Sequence, residues 1–414
     1  MTQTPPRTAV RRLALGRLIS VTGGAAAYTA LNFTVWDRTH SPAMQALSLL
    51  LTFGVAGILG PFAGALGDRF DRRGVMIWSE ALASVFFTGM VFVDDPGLLI
   101  ALAFGSAISE LPFFSASRAA IPNLVEHEDD VAWANSLITV GVHAGIAVGP
   151  LLGGLMVASA GPTWVFGINA VSFVISLILT ITVHGRFSDP DRETSGEADQ
   201  GLTAGIRFLF AEPVLRRMSL AWLVFVLGMG MGMVADAPIA EFFGTGATGF
   251  GFLIAAWGSG SVLGAAAGRW MTVRTEPVWV VVGSASIAVA AIGVGLAPWF
   301  WTVLVSLFVM GTADGLTMVA ENGIMQRRTP DAVRSRTMAA FEALISLGLF
   351  VAYLLAIPLL RAVEPQRIYL IGGIAAAAAA LVLVPLLSLR REAAEVPELA
   401  PELSVAAAWE SRVE

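Results

Sequence analysis

Long apolar runs separated by short polar clusters recur along almost the whole chain. Twelve of these runs approach the roughly 20 residues that an α-helix needs to cross a bilayer. They lie near 13–36, 43–66, 74–93, 97–118, 133–157 and 163–184, and then near 214–238, 249–271, 278–296, 299–322, 338–360 and 368–389. The pattern predicts an all-α integral membrane protein. Between the sixth and seventh runs, His184 to Gln200 holds Asp189-Pro190-Asp191-Arg192-Glu193 and Ser195-Gly196-Glu197. That stretch is too polar and too rich in breakers to pack, so it reads as a linker. Gly201 to Arg217 reads as a short amphipathic helix at the membrane interface, and the tail beyond Arg391 as disordered. The expected domains are a first six-helix bundle (1–185), a cytoplasmic linker with an interfacial helix (186–212), a second six-helix bundle (213–391) and a disordered cytoplasmic tail (392–414).

Composition agrees with lipid as the solvent. Of the 414 residues 56% are hydrophobic and 14% charged, where a soluble chain carries about a quarter charged. There is no cysteine, which excludes disulfides and thiolate metal sites. His40, His127, His143 and His184 are scattered over loops and distant spans, with no metal-ligand spacing and no nucleophile–base pair. No metal, no cofactor and no enzymatic activity are therefore expected. The formal charge of −6 says less than the placement of the 25 basic residues, all of them arginine. With the N-terminus inside, 21 fall in cytoplasmic segments, 3 in outer loops (Arg38, Arg361 and Arg367), and Arg17 falls inside the first span. The positive-inside rule then predicts an even number of spans, both termini in the cytoplasm and a place in the inner (plasma) membrane. Arginines spread over membrane loops rather than one basic surface also argue against a nucleic-acid partner.

Charge is densest at Gly64-Ala65-Leu66-Gly67-Asp68-Arg69-Phe70-Asp71-Arg72-Arg73-Gly74, the turn between the second and third runs. A repeat at an offset of about 200 residues sets Gly64…Gly67-Asp68-Arg69 against Gly264…Ala267-Gly268-Arg269. It also sets Glu128-Asp129-Asp130-Val131 against Pro330-Asp331-Ala332-Val333. Two such halves predict a transporter built from parallel bundles, with its substrate site near the midplane between them. Gly64-x-x-x-Asp68-Arg69-x-x-Arg72-Arg73 resembles the loop motif of the major facilitator superfamily, usually G-x-x-x-D-R-x-G-R-R. Asp71 stands where a glycine is commoner, as in the enterobactin-exporter and macrolide-efflux branch. Gly145-Ile146-Ala147-Val148-Gly149-Pro150-Leu151-Leu152-Gly153-Gly154 resembles the G-x-x-x-G-P-x-x-G-G motif of its antiporters and exporters. Arg118-Ala119-Ala120-Ile121-Pro122-Asn123-Leu124-Val125 with Ala134-Asn135 is similar to the segment joining spans four and five in that branch. The resemblance runs from Arg11 to Arg391 and implies the major facilitator fold, twelve transmembrane helices in two pseudo-symmetric six-helix bundles. The branch often carries an acid in mid-span one, where Gly23 and Gly24 stand here.

Particular residues are candidates for the mechanism. Asp68 is expected to face a helix N-terminus of the opposite half, where the dipole favours an anion, and so to latch the cytoplasmic side. Arg69, Arg72 and Arg73 either share that gate or only fix orientation during insertion. Gly141, Gly145, Gly149 and Gly153 recur every fourth residue and line one helix face, smooth enough for another helix to rock against. Pro150 is expected to kink that helix, and Gly260, Gly264 and Gly268 offer a partner stripe from the other half.

Ionisable groups inside spans cost roughly 2.5–3.5 kcal/mol each at a helix centre, so they are unlikely choices for a lipid face. Glu110, Asp314, Asp236 and Glu321 are the candidates for proton coupling or substrate binding, with Asn32, Phe33 and Trp257 as candidate lining residues. Glu80 and Arg118 are expected to form a structural ion pair, and Glu321 to pair with Arg327 or Arg328. Glu110 and Asp314 show no local cation, and Arg17, one turn into its span, is expected to snorkel to the surface. These readings predict a secondary active transporter working by alternating access. The favoured form is a proton-coupled exporter of a small amphipathic compound (a drug, a macrolide-like molecule or a siderophore), monomeric in the bilayer. A metabolite importer, an uncoupled facilitator and a transporter-like sensor without flux are the alternatives.

Overall fold

The computed structural model describes residues 5–54, 59, 70–125, 128–187 and 201–388. Among these the chain forms α1 (Pro6–Thr39), α2 (Pro42–Leu49, continued by a wide π-helical turn, Leu50–Gly54), α3 (Arg72–Val91), α4 (Pro96–Leu124), α5 (Glu128–Ala160) and α6 (Pro162–Ile181). There follow α7 (Gly201–Ala211), α8 (Pro213–Phe242), α9 (Gly246–Ala267), α10 (Glu276–Gly295), α11 (Phe300–Arg328), α12 (Asp331–Ala362) and α13 (Pro365–Leu383). Eleven of the described helices are long and apolar enough to cross a membrane, and Pro42–Gly54 is a shorter apolar segment at the expected second span. The rest of that span, Asp68, Arg69, the linker over 188–200 and the tail lie outside the described residues.

The helix starts follow from local chemistry. Pro6, Pro42, Pro96, Pro162 and Pro277 sit in the first turn, where a fixed φ suits the helix and no N–H is missed. Asp71 caps α3 by accepting from the Gly74 N–H at 2.8 Å, and Asp95 caps α4 by accepting from Leu98 N–H at 2.8 Å. The expected helix over 201–217 is divided at Glu212, because Pro213 cannot continue it and instead opens α8. The Glu212 carboxylate caps that second helix, accepting from Leu215 N–H at 2.6 Å.

Large apolar side chains point outward as well as inward. Trp78, Phe92, Trp164, Val289 and Leu381 are all exposed, the distribution expected where lipid covers the surface. Trp299 and Trp301 stack at 5.9 Å where α11 begins, in the manner of interfacial anchors. The chain divides into two compact units. One comprises 1–194, 233–258 and 353–365, the other 195–232, 259–352 and 366–414. The first is built on Leu31, Phe87, Phe166 and Phe173, with the Phe87 and Phe173 rings stacked at 5.7 Å. In the second, Phe208 and Leu209 of α7 join Leu215, Met218, Met325 and Phe341, so this amphipathic helix docks on protein through one face.

Candidate functional site

Three ionisable side chains meet inside the first unit. Arg17 of α1 is 4% exposed, and its guanidinium lies 4.0 Å from the centre of the Phe114 ring and 5.0 Å from that of Phe113. It stays buried rather than snorkelling, because the aromatic faces of α4 receive its charge and two acids lie within its electrostatic reach. Those acids are Glu80 of α3 and Glu110 of α4. Glu110 therefore does have a local cation, and it comes from another helix, where sequence neighbours give no hint of it. Ser106, one turn away on α4, approaches the Glu110 carboxylate at 3.4 Å. The Tyr28 hydroxyl lies close to the same group from α1. Tyr28 is eleven residues beyond Arg17, three turns and about 16 Å along the same face of α1, so the two bracket Glu110.

Glu80 is 2% exposed and accepts from the Ser176 hydroxyl of α6 at 2.7 Å. Its described polar neighbours are thus Ser176, Arg17 and Glu110; the Arg118 side chain lies outside the described residues. Gly16 keeps the site compact, since a Cβ there would stand 3.0 Å from Ser176 Oγ. Gly23 has a similar role one helical stretch further on. A Cβ on it would stand 2.5 Å from both Asn169 Oδ1 and Ser172 Oγ, so no acid fits at that point of α1.

The arginines after the motif turn act on helix ends. Arg72 is buried and donates to the carbonyls of Ala119 (2.9 Å) and Phe187 (3.4 Å). Arg73 donates to the Ile181 carbonyl at 2.7 Å, and Arg12 to that of Thr182 at 2.9 Å. Carbonyls at a helix C-terminus lack intrahelical partners and carry the negative end of the dipole. Arg12 and Arg73 thereby fasten α1 and α3 to the end of α6, and Arg72 ties α3 to Ala119 in the later turns of α4 and to the Phe187 carbonyl beyond α6. Asp68 and Arg69 lie outside the described residues.

Each glycine stripe packs on a helix of its own unit. On α5, a Cβ at Gly145 would stand 2.9 Å from Thr22 N, and one at Gly149 2.6 Å from Thr22 O, while one at Gly153 would run into the Ala26 backbone. That stripe packs on α1 of its own half. Gly260 and Gly264 likewise press on the backbone of α11 at Phe308 and Thr312, with Gly315 returning the contact to Ser261. The two seams are equivalent partners by repeat, each internal to its half. A second face of α5 carries the contact to α9 within the first unit: a Cβ at Gly154 would stand 2.7 Å from Ala247 O and 2.8 Å from Gly251 Cα. Pro150 lies on this face, and α5 runs through it unbroken.

A family of transmembrane secretion effectors, within the major facilitator superfamily, matches residues 4–411. The chain belongs to that family. Among its relatives, the Enterobactin exporter EntS of Escherichia coli O127:H6 (strain E2348/69 / EPEC) is 26% identical over 341 residues, 81% of either chain. Solved structures share the fold. A bacterial homolog to the human lysosomal transporter Spinster superposes with a TM-score of 0.65 at 16% identity, covering 94% of this chain and 97% of that one. A D-xylose-proton symporter gives 0.71 at 15% identity, covering 96% and 100%. As a transmembrane secretion effector the protein is a multi-pass membrane transporter of the major facilitator fold, in a family of transporters of small molecules rather than enzymes.

The other candidates of this secretion effector are placed apart from the cluster. Glu321 is 4% exposed on α11 and lines a cavity in the second unit with Trp222, Phe225, Ser284 and Thr317. The cavity is small, with room for about one water. Asp314 lies seven residues earlier on α11, within electrostatic reach of Glu321. The arginines expected to pair with Glu321 are engaged elsewhere, Arg327 with Glu276 and Arg328 with Glu212 at 3.4 Å. Asp236 is buried on α8. Asn32 donates to the Tyr28 carbonyl at 2.8 Å and accepts from Ser48 at 3.0 Å, which commits its amide to holding α2 on α1. Phe33 packs against Phe250 at 6.4 Å between ring centres, and Trp257 is half-buried on α9. Sequence reasoning passed over Arg17 and Tyr28 as working groups. The signal available was their spacing of eleven on a span whose remaining polar residues are small.

Proposed function

We propose that the protein is a proton-coupled exporter of a small amphipathic compound, acting as a monomer in the plasma membrane with both termini in the cytoplasm. The helices of 1–185 and 213–391 act as two six-helix bundles that expose a midplane site alternately to either side, joined by the 186–212 linker and followed by the 392–414 tail. The observation that carries this reading is the cluster of buried Arg17 and Glu80 with half-buried Glu110. Each such group costs roughly 2.5–3.5 kcal/mol at a helix centre, an expense that apolar packing alone would avoid. Two acids competing for one cation can take up and release a proton as access alternates, which ties a proton gradient to movement of the helices that carry them. Phe113 and Phe114, beside Arg17, supply aromatic surface for an amphipathic cargo with an acidic group. The likeness to an enterobactin exporter supports a cargo of the siderophore or drug kind. Asp314, Glu321 and Asp236 are secondary proton sites in this scheme, and Asp68 with Arg69 forms the cytoplasmic latch.

The test is efflux from proteoliposomes loaded with ethidium or enterobactin under an imposed pH gradient. Coupled export predicts efflux that the gradient drives and an uncoupler abolishes. Efflux at one rate with and without the gradient would overturn coupling, binding without flux would make the protein a sensor, and uptake alone would make it an importer.

A further inference from the structure

The two acids of the cluster are not equivalent. Glu110 is met by the Ser106 and Tyr28 hydroxyls and by Arg17, a set of donors and positive charge that suits an ionised carboxylate. Glu80 has one hydrogen bond, from Ser176 Oγ to Oε1 at 2.7 Å. Its Oε2 is buried with no hydrogen-bond partner among the described residues. An ionised carboxylate offers about four acceptor sites, whereas a protonated one needs a single donor at its carbonyl oxygen. Leaving a charged oxygen bare in the interior is far more costly than leaving a neutral hydroxyl. Among the described residues, the charged and polar groups that face Glu80 are Arg17 from α1, Glu110 from α4 and Ser176 from α6.

We infer that Glu80, rather than Glu110, holds the exchangeable proton of this transporter, with Ser176 positioning its carboxyl. The inference rests on the coupled-export reading for its purpose, but the protonation itself is measurable without transport. The step is a proton transfer only: water delivers H⁺ to Oε2, an O–H bond forms, and the same bond breaks to water when the site opens to the other side.

The experiment is infrared difference spectroscopy of the purified full-length protein in lipid at neutral pH, following the C=O stretch of a protonated carboxylic acid. Glu80→Gln should abolish the band assigned to the cluster and Glu110→Gln should retain it. Ser176→Ala, which removes one hydroxyl and keeps the fold, should shift the band to higher frequency by freeing the carbonyl oxygen. A band lost in Glu110→Gln and kept in Glu80→Gln overturns the assignment, as does a band unmoved by Ser176→Ala. If the band behaves as expected while efflux ignores the pH gradient, the coupled-export reading fails and the proton site stands. If efflux is gradient-driven and the band is indifferent to Glu80, the reverse holds.

Discussion

Gly149→Ala tests whether the α1–α5 seam sets the position of the charge cluster. The added Cβ would stand 2.6 Å from Thr22 O and 2.7 Å from Ala25 Cβ. Ordinary carbon contacts begin at about 3.5 Å, so the helices must part by roughly 1 Å or the residue must strain. The shift is not absorbed locally, because Gly145 and Gly153 press on the same helix one turn to either side. Overpacking of this kind costs about 1–3 kcal/mol, against about 1 kcal/mol of helix propensity that alanine gains over glycine. Gly24→Ala supplies the control, since a Cβ there meets nothing within 4 Å and brings the same propensity gain. The propensity term then cancels, and Gly149→Ala should be less stable than Gly24→Ala by about 1–3 kcal/mol. The assay is equilibrium unfolding in mixed detergent micelles, with gradient-driven efflux measured in parallel. Arg17 lies five residues before Thr22 on the displaced helix, so efflux should fall further in Gly149→Ala than its stability loss explains. Equal stability and equal efflux in the two variants would refute the idea that this seam positions Arg17.

Asp71→Ala should lower stability by about 1 kcal/mol by removing the cap on α3, read as an earlier thermal transition, whereas Asp71→Ser should be near neutral. Phe87→Ala should cost about 3–5 kcal/mol, because the ring is fully buried and meets both Tyr28 and Phe173; surviving protein after heating and size-exclusion chromatography gives the comparison. Arg73→Met keeps the aliphatic stem but loses the bond to the Ile181 carbonyl. It should cost about 1.5–3 kcal/mol without altering the orientation of the inserted chain, checked by labelling of single cysteines in a chain that has none of its own.

The division of the chain into apolar helices was legible because lipid enforces it: every backbone group must be paired within its own segment, so length and hydropathy alone delimit the spans. Helix starts were legible too, through proline and aspartate at Pro96 and Asp95, where the chemistry is local. The glycine stripes were legible as faces but not as pairs. A four-residue period says which side of α5 is smooth, and nothing in it says whether α1 or α9 lies opposite. Here both do, on different sides. Asp71 shows a second limit, for a departure from a motif reads as a loss until the Gly74 N–H is seen to use it.

Arg17 marks where sequence reading stops. One turn inside a span, its long side chain reaches either the surface or the interior at similar cost, and the choice is made by what the neighbouring helices present. Here α4 presents Phe113 and Phe114, α3 presents Glu80, and no residue of α1 announces any of them. The same reasoning ranks the acids. Glu110 and Glu80 are alike in sequence, each a lone glutamate in an apolar run, and they differ in their surroundings: Ser106 of its own helix and Tyr28 of α1 flank half-buried Glu110, whereas fully buried Glu80 has Ser176 of α6. Donor count is a tertiary property, so the identity of the proton-holding residue was never available from the spans themselves. It follows that moving a donor should move the proton. Ser106→Ala with Tyr28→Phe strips Glu110 of its hydroxyls while Glu80 keeps Ser176, and should shift the proton toward Glu110. Loss or reversal of the distinction between Glu80→Gln and Glu110→Gln in that background is the outcome required; a distinction left intact would mean that something other than hydrogen-bond supply sorts the two.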